Sequence, residues 1–359
     1  MGEEKMNDNL RIILERARWA PSGDNTQPWC FEIHDAQHIT IHGHDTRQWC
    51  VYDLDGHASQ IALGALLETI AIAASTLGLR AEFRRRQEAP EEHPLIDVHF
   101  TPDEQLIGDP LGQVIEQRVT QRRAFSTHPL TDEQKAALTA SVGNSYEVHW
   151  LEGGAARWRM AKLLFRSAHI RLTIPEAYEV HSRVIEWCAR VSEDRIPDQA
   201  VGLDPVGVSL MRWGMKSWRR VSFLNRWLAG TWLPRLQLDL LPGYRCAAHA
   251  LIASRNPLNG IDAYLEGGRA VQRFWLTATV QGLQFQPEMT PLIFARYARD
   301  RREFTSGPPS LQKAHIVRGA LEGLLSEQAV LDGIFLCRLG DGSAPTARSV
   351  RLPLDRLIQ

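Results

Sequence analysis

Apolar residues recur at near-helical spacing from Leu10 to Trp19, the mark of a helix that packs one face on a core. Pro21 stops it, because proline removes a backbone donor and restricts its predecessor. Trp29-Cys30-Phe31-Glu32-Ile33 then alternates like a half-buried strand, and Ile39 and Ile41 resume the alternation beyond His34-Asp35-Ala36-Gln37, which predicts a hairpin. Asp53-Leu54-Asp55-Gly56 offers N-capping carboxylates to a helix expected from His57 to about Gly78. Its interior, Ile61 to Leu67, is apolar nearly all round, so this helix should be buried. Arg84, Arg85 and Arg86 followed by Glu88, Glu91 and Glu92 read as a charged connection, and Leu95 to Phe100 as the strand leading out of the first half.

Further along, Thr131 to Ala140 and Gly153 to Ile170 have helical patterns, with Tyr146 to Trp150 a strand between them. Cys246 to Ser254 reads as a buried strand, Tyr264 to Leu283 as a second apolar helix, Ser306-Gly307-Pro308-Pro309 as a loop, and Gly333 to Leu339 as the last strand. The mixture predicts an α+β protein with long central helices. Pro205 to Gln237 stands apart: it holds Trp213, Trp218, Trp227 and Trp232, six basic residues (Arg212, Lys216, Arg219, Arg220, Arg226, Arg235) and no acid. Such a stretch fits a helical excursion packed on the core, a lid whose aromatics cover a planar ligand, or an amphipathic membrane-surface segment.

Composition narrows the function classes. With 359 residues, 44% of them hydrophobic, the chain can bury a sizeable core, and a net charge of -1 gives no global reason to expect nucleic acid. Five scattered cysteines, with no C-x-x-C pair, argue against a disulfide framework or zinc ribbon and fit a reducing cytoplasm. Met1 to Asn9 is polar and unlike a signal peptide, and no apolar run is expected to span a bilayer. His38, His42 and His44 share a strand face, but no Cys, Asp or Glu shares it with them, so no metal site is expected.

The candidate chemistry lies in two stretches. Ala20 to Trp29 reads Ala-Pro-Ser-Gly-Asp-Asn-Thr-Gln-Pro-Trp, placing backbone donors and amide side chains between a helix and a strand. It suits either a loop that reads a flat heterocycle or an ordinary turn stapled by Asx hydrogen bonds. Arg118-Val119-Thr120-Gln121-Arg122-Arg123 suits either a phosphate or a solvated basic helix end. No Ser-His-Asp, Cys-His or paired-carboxylate arrangement stands out, so no catalytic residue is nominated, and there is no G-x-G-x-x-G fingerprint.

Both stretches resemble motifs of the nitroreductase family. Pro21, Ser22, Asn25, Gln27, Pro28 and Trp29 fill every position of its Pro-Ser-x-x-Asn-x-Gln-Pro-Trp loop, and Arg118, Thr120 and Arg122 match its Arg-x-Ser-x-Arg/Lys motif with Thr for Ser. The resemblance implies the nitroreductase-like α+β fold, with mixed and antiparallel sheets, and FMN as cofactor. It also implies that Pro21, Ser22, Gly23, Asn25 and Gln27 line the ring and ribityl chain. Arg118, Thr120 and Arg122 would take the phosphate and ribityl chain, with Arg348 and Arg351 in the tail as further phosphate ligands. Pro287 matches the segment that flanks flavin N5, although Glu288-Met289-Thr290 departs from the family pattern. The implied activity is hydride transfer between a donor and a nitro, quinone or other small organic substrate, with NAD(P)H as a visiting donor. Its alternative is flavin sequestration with little turnover, the tryptophan-rich segment closing the ring face.

Length points to a fused pair. Gly64 to Leu79 can be laid over Gly268 to Leu283, putting Gly64 on Gly268, Ala74 on Ala278 and Gly78 on Gly282. Family members are homodimers of shorter chains with each site built across the interface, so the expected organisation is two tandem related halves, residues 1–115 and 116–359. The first supplies the ring loop and the second the phosphate motif together with the 205–237 segment, giving about one FMN per chain. Further self-association of the fused pair is compatible with the sequence.

Overall fold

The structure, a computed structural model, describes residues 6–228 and 230–359. Helix α1 (Asp8–Ala17) opens at Asn7, whose Oδ1 accepts from Leu10 N at 2.8 Å, and it buries Leu10, Ile13, Leu14 and Ala17. The hairpin follows as β1 (Trp29–Ile33) and β2 (His38–Gly43), then α2 (His57–Ser75), β3 (Leu79–Arg85) and β4 (Leu95–Pro102). Asp53 caps α2 as expected: its Oδ1 accepts from Ala58 N at 2.8 Å and Ser59 N at 3.2 Å.

Two expectations need correction. Arg84 and Arg85 are not a loop but the end of β3, an edge strand whose Ala81 and Phe83 turn toward the fold while Arg80, Glu82 and Arg84 are exposed. Charges on an edge strand guard it against pairing with other chains, and this is why the strand pattern was masked. Helix α2 is long and apolar enough to cross a membrane by length and composition, contrary to the sequence reading, but its apolar window is 83% buried inside the fold.

The chain continues with α3 (Asp132–Ser141), closed by a capping box between Thr131 and Gln134, and β5 (Tyr146–Glu152). A helical excursion then intervenes. It comprises α4 (Gly153–Thr173), α5 (Pro175–Val184), the two-residue strands β6 (Ile185–Glu186), β7 (Val191–Ser192) and β8 (Ile196–Pro197), α6 (Pro205–Gly214), α7 (Trp218–Trp227), α8 (Trp232–Arg235) and α9 (Leu241–Tyr244). The sheet resumes with β9 (Ala248–Ser254), α10 (Gly260–Val280) and β10 (Gln284–Pro287). After α11 (Thr290–Arg299), α12 (Pro308–Glu322) and α13 (Glu327–Leu331) comes β11 (Gly333–Gly340), and β12 (Arg348–Ser349) lies in the tail.

Both main sheets are antiparallel and four-stranded, in the orders β1-β2-β4-β3 and β5-β9-β11-β10. In each, the two strands before the long helix are neighbours, the strand directly after that helix lies at the far edge, and the last strand sits inside. Helices α2 and α10 cross at Gly64 and Gly268, where a Cβ on either would come within 2.9 Å of the other's Cα. Beside the crossing, Gln272 Nε2 donates to Thr69 Oγ1 at 2.9 Å and Arg273 Nη1 to Glu68 Oε1 at 2.8 Å.

The C-terminal tail returns across the first half. Phe31 N donates to Leu357 O at 2.7 Å and Gln359 N to Phe31 O at 2.9 Å, a parallel bridge on the outer edge of β1. This return carries Arg348 and Arg351 to the end of α1.

Candidate functional site

The Ala20–Trp29 loop is held in a costly conformation. Asp24, Asn25 and Gln27 all adopt positive φ (51°, 64° and 48°), a region that charges an L-residue about 1–2 kcal/mol. Side chains offset the cost. Ser22 Oγ accepts from Gln27 N at 2.9 Å; Asn25 Nδ2 donates to Glu193 O at 2.9 Å and Val350 O at 3.2 Å. Gln27 Nε2 donates to Glu193 O at 2.9 Å, and its Oε1 accepts from Leu352 N at 2.9 Å. The two amides therefore spend these donors on the 193–195 strap and the tail, and they shape the loop. Asn25 Oδ1 is buried without a partner, and Gly23 is exposed with open space where a Cβ would stand.

Next to this loop lie three arginines. Arg118 Nη2 donates to Trp19 O at 3.0 Å and its guanidinium lies 4.5 Å from the Trp275 ring centroid. Arg351 Nε and Nη2 both donate to Ala20 O, at 3.0 and 2.9 Å. Arg348 lies 5.0 Å from the Trp19 ring centroid and donates to Glu116 O at 2.9 Å. Among the described residues none of the three forms an ion pair, and the Nε groups of Arg118 and Arg348 are buried without a hydrogen-bond partner. Burial, then the charges of Arg351 and Arg348, push Arg118 well below the ordinary arginine range. Burial, then Arg348 and Arg18, push Arg351 down to about 9. Uncompensated buried cations are expensive, and an anion with several acceptor oxygens is the chemistry that satisfies this donor set.

The other sequence candidates are placed as follows. Arg122 stands apart from that trio: it donates to Ala200 O at 3.2 Å and faces the Asp24 carboxylate, which opposes the downward pull of burial on the guanidinium. Asp24 in turn is raised by burial and lowered by Arg122. Thr120 is half-buried between Arg118 and Arg122 on an irregular stretch, not on a helix end. Gln121 N donates to Phe285 O at 2.9 Å, tying that stretch to β10, which Pro287 closes. Arg118, Arg348 and Arg351 thus gather at Trp19 and Ala20, directly before the Pro21, Ser22, Gly23, Asn25 and Gln27 loop, Arg122 faces Asp24 within it, and Pro287 is tied by β10 to the Arg118–Arg122 stretch.

Two polar networks, one buried and one half-buried, had escaped the sequence reading. Arg338 Nε lies 3.2 Å from Glu288 Oε1, and His249 Nδ1 donates to Glu288 Oε2 at 2.7 Å while Nε2 faces Gly243 O at 2.8 Å. Burial would lower His249, but Glu288 and Cys246 outweigh it and raise the imidazole to about 10. Tyr52 Oη and His181 Nε2 meet at 3.0 Å, and burial, then Arg171, lower His181 to about 3. Arg171 itself pairs with Asp239 at 2.7 Å. One signal was visible: Arg338 is a lone cation in the otherwise apolar strand Gly333–Leu339.

The tryptophan-rich segment forms a helical excursion whose tryptophans are in part exposed. Trp213, Trp227 and Trp232 are 43%, 68% and 55% exposed. Its inner contacts include Trp218 packed 5.7 Å from the Tyr178 ring, Trp232 edge-on to Phe165 at 5.5 Å, Arg235 donating to Phe165 O at 2.8 Å and Asn225 donating to Leu172 O at 2.7 Å.

No family model matches the chain. An uncharacterized protein of Mycobacterium tuberculosis is 24% identical over 302 residues, 83% of this chain and 41% of that protein. A protein provisionally named an NAD(P)H nitroreductase, found in two strains of the same species, is 27% identical over 137 residues, 37% of this chain and 39% of its own length. The matches therefore span about two fifths of these relatives. Among solved structures, a nitroreductase with bound FMN from Bacteroides fragilis covers 66% of this chain and 89% of its own at 9% identity and a TM-score of 0.34. An FMN-dependent nitroreductase from Mycobacterium smegmatis, in complex with NADPH, covers 68% and 94% at 16% identity and a TM-score of 0.37. The provisional name of the 27% identical relative is that of the family that the Pro21–Trp29 and Arg118–Arg122 motifs resemble.

Proposed function

We propose that the chain is an FMN-dependent oxidoreductase of nitroreductase type. The observation that carries this reading is the trio of buried Arg118 and Arg351 and half-buried Arg348: without ion pairs among the described residues, and with two orphaned Nε–H groups beside the loop that resembles the family's flavin loop. These donors fit a phosphate, and the open space at Gly23 leaves room for a planar ring to approach the backbone. Arg118, Thr120, Arg348 and Arg351 would hold the phosphate end, and the Pro21 to Gln27 loop with Pro287 the ring end. Bound there, FMN supplies hydride transfer, while the protein supplies anchoring, orientation and exclusion of water.

The halves joined at α2 and α10 contribute unequal parts, the first the loop and the second the arginines, so the site is composite and there is one per chain. The substrate class is a nitro, quinone or other small organic acceptor, with NAD(P)H as a visiting donor and the cytoplasm as the compartment. Stopped-flow mixing of the FMN-loaded protein with NADPH and with NADH tests the activity. Rapid bleaching of the flavin by one donor is the expected result; a flavin that neither donor bleaches contradicts NAD(P)H-driven turnover.

A further inference from the structure

We infer that the helical excursion from Pro205 to Tyr244 docks on an anionic lipid surface. Helix α7 has no fully buried residue: Trp218 packs 5.7 Å from the Tyr178 ring and Asn225 donates to Leu172 O on its inner side, while Phe223 and Trp227 stand exposed on it. Along it, Arg219, Phe223, Arg226 and Trp227 fall at helical intervals that share one face, and all four are exposed. Helix α6 repeats the arrangement with Val206, Leu210 and Trp213 exposed at the same kind of spacing. The two helices form a hairpin in which Arg220 donates to Trp213 O at 3.2 Å and stacks 4.9 Å from its ring centroid. Trp232 and Leu241 extend the exposed apolar surface toward Tyr244, which meets Trp158 of α4 edge-on at 5.7 Å.

Large aromatic rings left in water are costly, and a contiguous set of them marks an interaction surface. Charge decides the partner. Residues 205–237 hold six cations and no acid, of which Arg235 is buried, and α4 adds Arg157, Arg159, Lys162 and Arg166 beside the paired Arg171, again with no acid. The acids at the margins are engaged inside the fold, Asp204 with Gln237 and Asp239 with Arg171. A second copy meeting this face about a two-fold axis would set cations against cations. An anionic bilayer offers complementary charge to the arginines and an interfacial layer suited to tryptophan, the combination found in helices that lie in the membrane plane. The inference does not rest on the cofactor: the surface lies outside the arginine trio and the Pro21–Gln27 loop.

Vesicle flotation of the full chain tests it, using phosphatidylcholine alone and phosphatidylcholine with roughly 30% phosphatidylglycerol. The chain should float with the mixed vesicles, less so as salt rises, and should stay behind with phosphatidylcholine alone. Arg219→Gln and Arg226→Gln should each lower partitioning about fivefold, from the roughly 1 kcal/mol that one basic residue contributes near such a surface. Trp227→Ser should lower it further at unchanged melting temperature. Absence of flotation with the mixed vesicles, flotation unaffected by these substitutions, or a dimer in sedimentation that Trp227→Ser dissolves would each overturn the inference.

Discussion

Gly64 and Gly268 face each other where α2 and α10 cross, each occupying the space that the other's Cβ would need. Their surroundings are reciprocal: a Cβ on Gly64 would strike the Leu265 carbonyl, and one on Gly268 the Ile61 carbonyl. Laying Gly64 on Gly268 puts Ile61 on Leu265, Glu68 on Gln272 and Thr69 on Arg273. The Thr69–Gln272 and Glu68–Arg273 bonds thereby become counterparts, one neutral and one charged. We propose that this crossing is the axis of a duplicated fold. Either Gly64→Val or Gly268→Val should destabilise the protein by ~3 kcal/mol or more, since backbone rather than a flexible side chain stands in the way. Gly319→Ala, on an exposed turn of α12 with open space around it, should be neutral or stabilising by up to ~1 kcal/mol. Urea denaturation of the three variants makes the comparison; equal midpoints would remove the close approach from the account.

Arg118 is predicted to cost stability without ligand and to supply affinity with it. Arg118→Met should weaken FMN retention about 10- to 100-fold, the range of a charge-assisted hydrogen bond, while raising the melting temperature of the FMN-free protein by removing a buried, uncompensated charge. Thermal melts with and without added FMN check both halves of this expectation. A fall in stability without FMN would mean that Arg118 is a structural tie to Trp19.

Gln27 joins three segments, so Gln27→Ala should act on stability and site together. It leaves Leu352 N without its acceptor and removes one donor from Glu193 O, a loss of ~1–3 kcal/mol for the buried group left unpaired. Asn25→Ala and Arg122→Ala should each weaken FMN retention in equilibrium dialysis. If both variants bind FMN as the parent does, the composite site is wrong.

The His249 pairing gives a pH dependence with a definite sign. Its folded value, raised to about 10, lies above the ordinary histidine value near 6.5, so the native state holds a proton that the unfolded chain releases. The contribution is full below about 6.5 and is lost as pH rises toward 10. His181 works in the opposite sense: lowered to about 3, it adds stability above 6.5 that is lost as pH falls toward 3. His249→Gln should therefore flatten the alkaline side of a plot of urea midpoint against pH and leave the acid side in place.

Local pattern carried much of this fold. The α1, β1–β2, α2 and β11 assignments rested on periodicity and capping that tertiary packing reinforces. The β3 strand was missed because its charges face solvent at a sheet edge, and β10 because Pro287 and the amides around Phe285 hide a short strand. In the site, the family-like spacing singled out Arg118 and the Asn25–Gln27 pair. What those groups touch depends on a tail that returns from the far end of the chain, which no local window contains. The networks around His249 and Tyr52 were hidden for the same reason, since their members come from separate elements.

The central claim is one composite flavin site per chain, and flavin absorbance against protein concentration after saturation with FMN and gel filtration measures it directly. A ratio of about one FMN per chain, on the ~1:1 expectation for a single built site, agrees with the account. A ratio of about two, or a colourless protein after reconstitution, contradicts it.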